Sequence, residues 1–213
     1  AAGASTAPLP WNTGAVTTMS AMFTAAISFN QPIGAWNIAN VTNIATMFPN
    51  ATRFNQSLSA WDTAKVTNMS YTFNQAAAFN NGLAPGVSGT MPWNTGLVTT
   101  MSYAFNQATA FNQDISSWNV GNVTDMTRML AYLPYFNQPI GVWNTSKVTT
   151  LSNTLRDNPA FNQSLGNWNV TQVSMATNFL AGTKLSITNY DNLLISWNAQ
   201  AVRTGVQFHG GTS

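Results

Sequence analysis

Phe111-Asn112-Gln113-Asp114-Ile115-Ser116-Ser117-Trp118-Asn119-Val120-Gly121-Asn122-Val123-Thr124-Asp125-Met126-Thr127-Arg128-Met129-Leu130 carries two apolar rhythms. Trp118 and Val120 flank Asn119 as alternate residues of a short strand do, with Ile115 three residues before. Val123, Met126, Met129 and Leu130 then recur at three- and four-residue steps, the period of one helical face. The stretch predicts a short strand, a turn, and a helical or 3₁₀ segment returning to the next copy.

Copies run along the whole chain. The eight tryptophans are Trp11, Trp36, Trp61, Trp93, Trp118, Trp143, Trp168 and Trp197, separated by 25, 25, 32, 25, 25, 25 and 29 residues. A period of roughly 20–50 residues marks a stack of supersecondary units, each too small to bury its own apolar face. Leading valines fall at 16, 41, 66, 98, 123, 148 and 173. Seven residues after each comes Phe23, Phe48, Phe73, Phe105, Leu130, Leu155 or Leu180, and another aromatic follows at Phe29, Phe54, Phe79, Phe111, Phe136 and Phe161. Stacking turns each set into a column with about 4.8 Å between members. Ile115, Trp118 and Val120 also match the L-x-x-L-x-L spacing of leucine-rich repeats. The expected fold is a leucine-rich-repeat-like solenoid: a parallel β-sheet of short strands, short helical or 3₁₀ returns, and a C-terminal helical cap.

Polar residues keep the same period. After the tryptophans come Asn12, Asn37, Asp62, Asn94, Asn119, Asn144, Asn169 and Asn198; after the phenylalanines come Asn30, Asn55, Asn80, Asn112, Asn137 and Asn162. Asx side chains satisfy turns and stacked amides bond along a parallel stack. Both columns therefore read first as structural, and second as amides offered to a ligand. Thr17-Thr18, Thr42-Asn43, Thr67-Asn68, Thr99-Thr100, Thr124-Asp125 and Thr149-Thr150 form a further column, placed to cap the helical turn.

Three regions follow: a leader at 1–10, about seven 25-residue units over 11–185, and a cap at 186–213. The third interval is longer because of an insertion loop at 80–92, rich in Gly and Pro. Insertions in solenoids gather on one face, often the binding face, although a loop without a role is equally compatible. Tyr190, Leu193, Leu194 and Trp197 stand at helical spacing between Thr188 and Ala201, with Asp191 in the first turn. A helix there would cover the last unit. The leader is too short to do so at the other end, where an uncapped first unit with an unpaired strand edge is expected.

Only 6% of the 213 residues are charged, against about 25% in ordinary globular chains. Seven basic and five acidic residues give a net charge of +2, with no basic stripe to neutralise phosphates. No nucleic-acid partner is expected. There is no cysteine, and no apolar run approaches the ~20 residues of a membrane span. The chain opens on Ala1, which suggests a removed signal peptide or a segment of a larger protein. His209 is the only histidine, and the aspartates at 62, 114, 125, 157 and 191 are scattered. Neither a paired-carboxylate site nor metal-ligand spacing emerges. The expectation is no enzyme, no cofactor and no metal site.

The run Phe-Asn-Gln-x-Ile-x-x-Trp-Asn/Asp-x-x-x-Val-Thr-x-Met-x-x-Met-Phe resembles the repeat of BspA-like leucine-rich-repeat surface proteins, also called the mycoplasma-type lipoprotein repeat. The resemblance covers about Trp11 to Leu180. Asn189-Tyr190-Asp191-Asn192-Leu193-Leu194-Ile195-Ser196-Trp197, with Phe208-His209-Gly210-Gly211 at the end, resembles the closing segment of bacterial members. It implies an extracellular or cell-surface protein concerned with adhesion; the family has no shared catalytic motif to carry over. The expected ligand is a protein or glycan, bound by the amide column Asn37, Asp62, Asn94, Asn119, Asn144 and Asn169. Two alternatives stand beside it. One is head-to-tail self-association through the uncapped first unit, giving a filament or surface layer. The other is binding of ice or another crystalline surface by the Thr columns.

Overall fold

A computed structural model describes residues 9–208. Ala1–Pro8 of the expected leader, and His209–Ser213 of the expected cap, lie outside the described residues. Counted from their valines, the units lie side by side in register as rungs one to seven. Parallel bridges join Thr18 to Asn43, Asn43 to Asn68, Asn68 to Thr100, Thr100 to Asp125, Asp125 to Thr150 and Thr150 to Met175. Beside them Thr42, Thr67, Thr99, Thr124, Thr149 and Ser174 each donate a backbone N–H to the preceding rung's threonine carbonyl at 2.8–2.9 Å. Each pairing is a single bridge placed two residues after the valine. The strand expected at Trp118–Val120 carries no ladder.

The stretch expected to be helical or 3₁₀, Val123–Leu130 and its counterparts, is a run of tight turns. Rung four shows how the backbone is satisfied. The N–H groups of Tyr103, Phe105 and Gln107 donate across to Thr127, Met129 and Ala131 of the next rung; those of Ala104, Asn106 and Ala108 donate three residues back, to Met101, Tyr103 and Phe105. Two residues per rung sit in the left-handed region. One set is Ala21, Thr46, Tyr71, Tyr103, Arg128, Asn153 and Asn178, with φ between 51° and 60°. The other, four residues on, is Ala25, Asn50, Gln75, Gln107, Tyr132, Asp157 and Gly182. These turns point every third or fourth side chain inward, so the apolar period is that of a helix although no helix forms. Among the described residues the only 3₁₀ segment is Ile140–Val142.

The core is a set of aromatic columns. Phe54, Phe79, Phe111, Phe136 and Phe161 are fully buried and stack on their rung neighbours at centroid distances of 5.9 to 6.2 Å. Phe23, Phe48, Phe73 and Phe105 form a second column at 5.3–5.4 Å. Each buried tryptophan donates its indole Nε1–H one rung back. Trp61 reaches the carbonyl of Ile33, Trp93 that of Leu58, Trp118 that of Met91, Trp143 that of Ile115 and Trp168 that of Ile140. Helix α1, Ile187–Asn198, continues this scheme. Its Trp197 is buried and donates to the Leu165 carbonyl at 3.0 Å, while Asn189 Nδ2 donates to Asn162.

Candidate functional site

The expected ligand column lies on the surface. Asn37, Asp62, Asn94, Asn119 and Asn144 are exposed and Asn169 is half-buried. Each uses Oδ1 to accept the backbone N–H two residues on, from Ala39, Ala64, Gly96, Gly121, Ser146 and Thr171. Asp62 makes this turn at 3.1 Å without an amide, so the backbone requires the oxygen alone. The Nδ2 groups of Asn37, Asn94, Asn119 and Asn144 carry no hydrogen bond among the described residues and remain available.

The second asparagine column is committed to the fold. Oδ1 of Asn30, Asn55, Asn80, Asn112, Asn137 and Asn162 accepts the backbone N–H of Asn55, Asn80, Asn112, Asn137, Asn162 and Ser186 respectively. Gln56, Gln113, Gln138 and Gln163 brace it from the side. The insertion loop hangs from the same ladder, since Asn55 Nδ2 donates to Leu83 O, Asn80 Nδ2 to Ala84 O and Val87 O, and Asn112 Nδ2 to Gly86 O.

A different face departs from the repeat. In rungs one, two and seven the left-handed positions hold Ala21, Ala25, Thr46, Asn50, Asn178 and Gly182. Rungs three to six place Tyr71, Tyr103, Arg128 and Asn153 in the first set, and Gln75, Gln107, Tyr132 and Asp157 in the second. Left-handed backbone costs an L-residue about 1–2 kcal/mol, least for Gly, Asn and Asp. Bulky aromatics there are outliers. The side chains assemble. Tyr71 and Tyr103 stack with centroids 4.4 Å apart and rings 7° from parallel. The Arg128 guanidinium lies 5.6 Å over Tyr103, and that of Arg156 lies 5.7 Å over Tyr132. Arg156 also pairs with Asp157 at 3.0 Å. Burial, followed by the neighbouring Tyr103 and Asp125, pushes the Tyr71 hydroxyl above its ordinary pKa of 10.0, and Arg128 pulls the other way. Between the two left-handed sets, Asn106 donates Nδ2 to Asn74 at 2.8 Å. Its buried Oδ1 has no partner.

Two residues further along each rung an open cleft of about 210 Å³ is lined by Ala77, Pro85, Thr109, Ala110, Pro134 and Tyr135. Its walls come from rungs three to five and from the insertion loop, whose Gly86 (φ +73°) is so close to Tyr135 that an added Cβ would stand 2.7 Å from the ring. The insertion and the Tyr/Arg departures thus fall in the same rungs. A second, apolar opening of about 210 Å³ lies in the cap between Phe179, Leu193, Trp197, Val202 and Phe208.

Residues 6–85 and 86–197 match the family described as Mycoplasma protein of unknown function, DUF285. The chain belongs to this family. Its two matched segments meet at Pro85–Gly86, inside the insertion loop. No curated protein and no solved structure matches the chain. Sequence reasoning passed over the Tyr/Arg face because it followed the residues that every unit shares. The signal was the complement: positions where only the central units hold Tyr or Arg.

Proposed function

We propose that the chain is a non-catalytic, extracellular or cell-surface repeat module of the BspA-like leucine-rich-repeat kind, a solenoid that binds a protein or glycan through one face. In-register bridges and stacked aromatic columns support the solenoid reading. The observation that carries the function is the Tyr71–Tyr103–Arg128 stack at left-handed positions. Small residues fill those positions in rungs one, two and seven, so the backbone does not demand the side chains found in the centre. The face of rungs three to six is the preferred ligand surface, and the Asn37–Asn169 column is the secondary one.

A double Tyr71→Asn, Tyr103→Asn variant keeps residues suited to positive φ and removes the aromatic stack. On an array of extracellular-matrix proteins and glycans it should lose the ligands that the parent retains. An Asn119→Asp, Asn144→Asp variant preserves both turns and should retain them. Identical binding by the Tyr variant and the parent would remove the Tyr/Arg face from the reading.

A second reading, self-association, is favoured by α1. Ile187 is 80% and Ile195 70% exposed at the end of the stack. Light scattering over a hundredfold concentration range, with Ile195→Lys as comparison, decides it; a constant monomer mass sinks it.

A further inference from the structure

We infer that the face of rungs three to six takes a carboxylate-bearing oligosaccharide, with Arg128 meeting the carboxylate; the inference rests on the ligand-binding reading above. Arg128 is the cation on this face that is left free. Arg156 is occupied by Asp157 Oδ2 and Asn153 Oδ1, whereas Arg128 has no carboxylate at ion-pair distance among the described residues. The acid of its own rung, Asp125, uses Oδ1 to accept the Thr127 N–H at 2.8 Å. The Arg128 guanidinium lies 5.6 Å over the Tyr103 ring, and its N–H groups make no hydrogen bond among the described residues. That leaves its in-plane N–H groups for a bidentate, planar acceptor such as a carboxylate.

The surroundings suit a sugar better than a peptide. Backbone N–H groups of Tyr103 to Ala108 are all used within the stack, so no edge is open for a peptide to add as a strand. What the face offers instead is side-chain chemistry repeated from rung three to rung four: the half-buried phenols of Tyr71 and Tyr103 and amides of Gln75 and Gln107. Repeated donors and acceptors match a chain of hydroxyl groups. The adjoining cleft supplies the apolar part, with Tyr135, Pro85 and Pro134 as surfaces for the C–H face of a sugar ring.

The test measures binding of oligogalacturonate, hyaluronate oligosaccharides and sialyllactose by calorimetry, each beside its carboxyl-reduced counterpart. The carboxylated forms should bind and the reduced forms should bind at least about tenfold more weakly, the size of one charge-assisted contact. Arg128→Gln should remove that preference at an unchanged melting temperature, and Arg128→Lys should restore part of it. Equal affinity for reduced forms, no affinity for any carboxylated form, or an unaltered preference in Arg128→Gln overturns the inference. Retention of only neutral glycans, proteins or acidic peptides, abolished by Tyr71→Asn with Tyr103→Asn, also overturns it while leaving the ligand-binding face intact. If that double variant changes no binding at all, both readings fall.

Discussion

Tyr103 and Phe105 are separated by one residue and contribute in opposite ways. Phe105 is fully buried and stacks between Phe73 and Phe111. Phe105→Ala should cost about 3–5 kcal/mol through lost transfer energy and the cavity left behind. Tyr103→Asn gives up a half-exposed stack worth about 0.5–1.5 kcal/mol but relieves a left-handed strain of similar size. Its stability should stay within about 1 kcal/mol of the parent by urea denaturation. A large loss in Tyr103→Asn would make the stack structural. The asparagines divide in the same way. Asn112→Ala strands the N–H of Asn137 and the carbonyl of Gly86, and each lost partner counts for about 1–3 kcal/mol where it is buried; Gln138 Nε2 keeps the Asn112 carbonyl and Ser88 Oγ. Asn119→Asp keeps its turn and should cost less than about 0.5 kcal/mol. Both columns were legible as period-bearing amides in the sequence. Which of them carries the backbone was not, because that depends on where the neighbouring rung's N–H falls.

At the scale of elements, the apolar period of Val123, Met126, Met129 and Leu130 located an inward-facing stretch and misassigned its backbone. Helix and consecutive turns both bring every third or fourth residue inside. What separates them is the destination of alternate N–H groups, four residues back in a helix and one rung across here, and a sequence does not print that. The positive-φ residues gave little warning, since Tyr71, Tyr103 and Arg128 are poor left-handed formers, held there by the same backbone ladder that places Ala21 and Thr46 in that conformation. Helix α1 was legible from Tyr190, Leu193, Leu194 and Trp197 at helical spacing; it starts at Ile187 behind an N-cap at Ser186, so Asp191 falls past the first turn where it was expected. The helix continues both ladders, through Trp197 Nε1 to Leu165 O and through the Ser186 backbone N–H to Asn162 Oδ1. Ser186→Ala should cost about 1 kcal/mol, since the Ser186 hydroxyl accepts the Asn189 N–H. Trp197→Ala should cost about 3–5 kcal/mol and should first raise amide exchange in rung seven and the helix. Uniform exchange along all rungs would mean that the end does not open separately.

Over the whole molecule, scarcity of charge separates what holds the stack from the ligand contact proposed for the Tyr/Arg face. Among the described residues a single ion pair joins side chains, Arg156 to Asp157, both partly exposed at 35% and 44%. Such a pair contributes about 0–1 kcal/mol, and a change of 1 kcal/mol moves the melting temperature of a chain this size by about 2–4 °C. Cohesion comes instead from aromatic columns, backbone ladders and amide ladders, none of which salt screens. Raising NaCl from about 0.05 to about 0.5 M shortens the Debye length severalfold, yet the melting temperature should move by no more than those few degrees. Ligand capture at Arg128 should respond in the opposite sense. A surface guanidinium meeting an anion is screened, so affinity for a carboxylated oligosaccharide should fall steadily over the same titration. A single salt series read by both melting and binding therefore distinguishes the two roles. A melting temperature that tracks salt as steeply as binding would place charge inside the cohesion of the stack, and binding indifferent to salt would remove Arg128 from the contact.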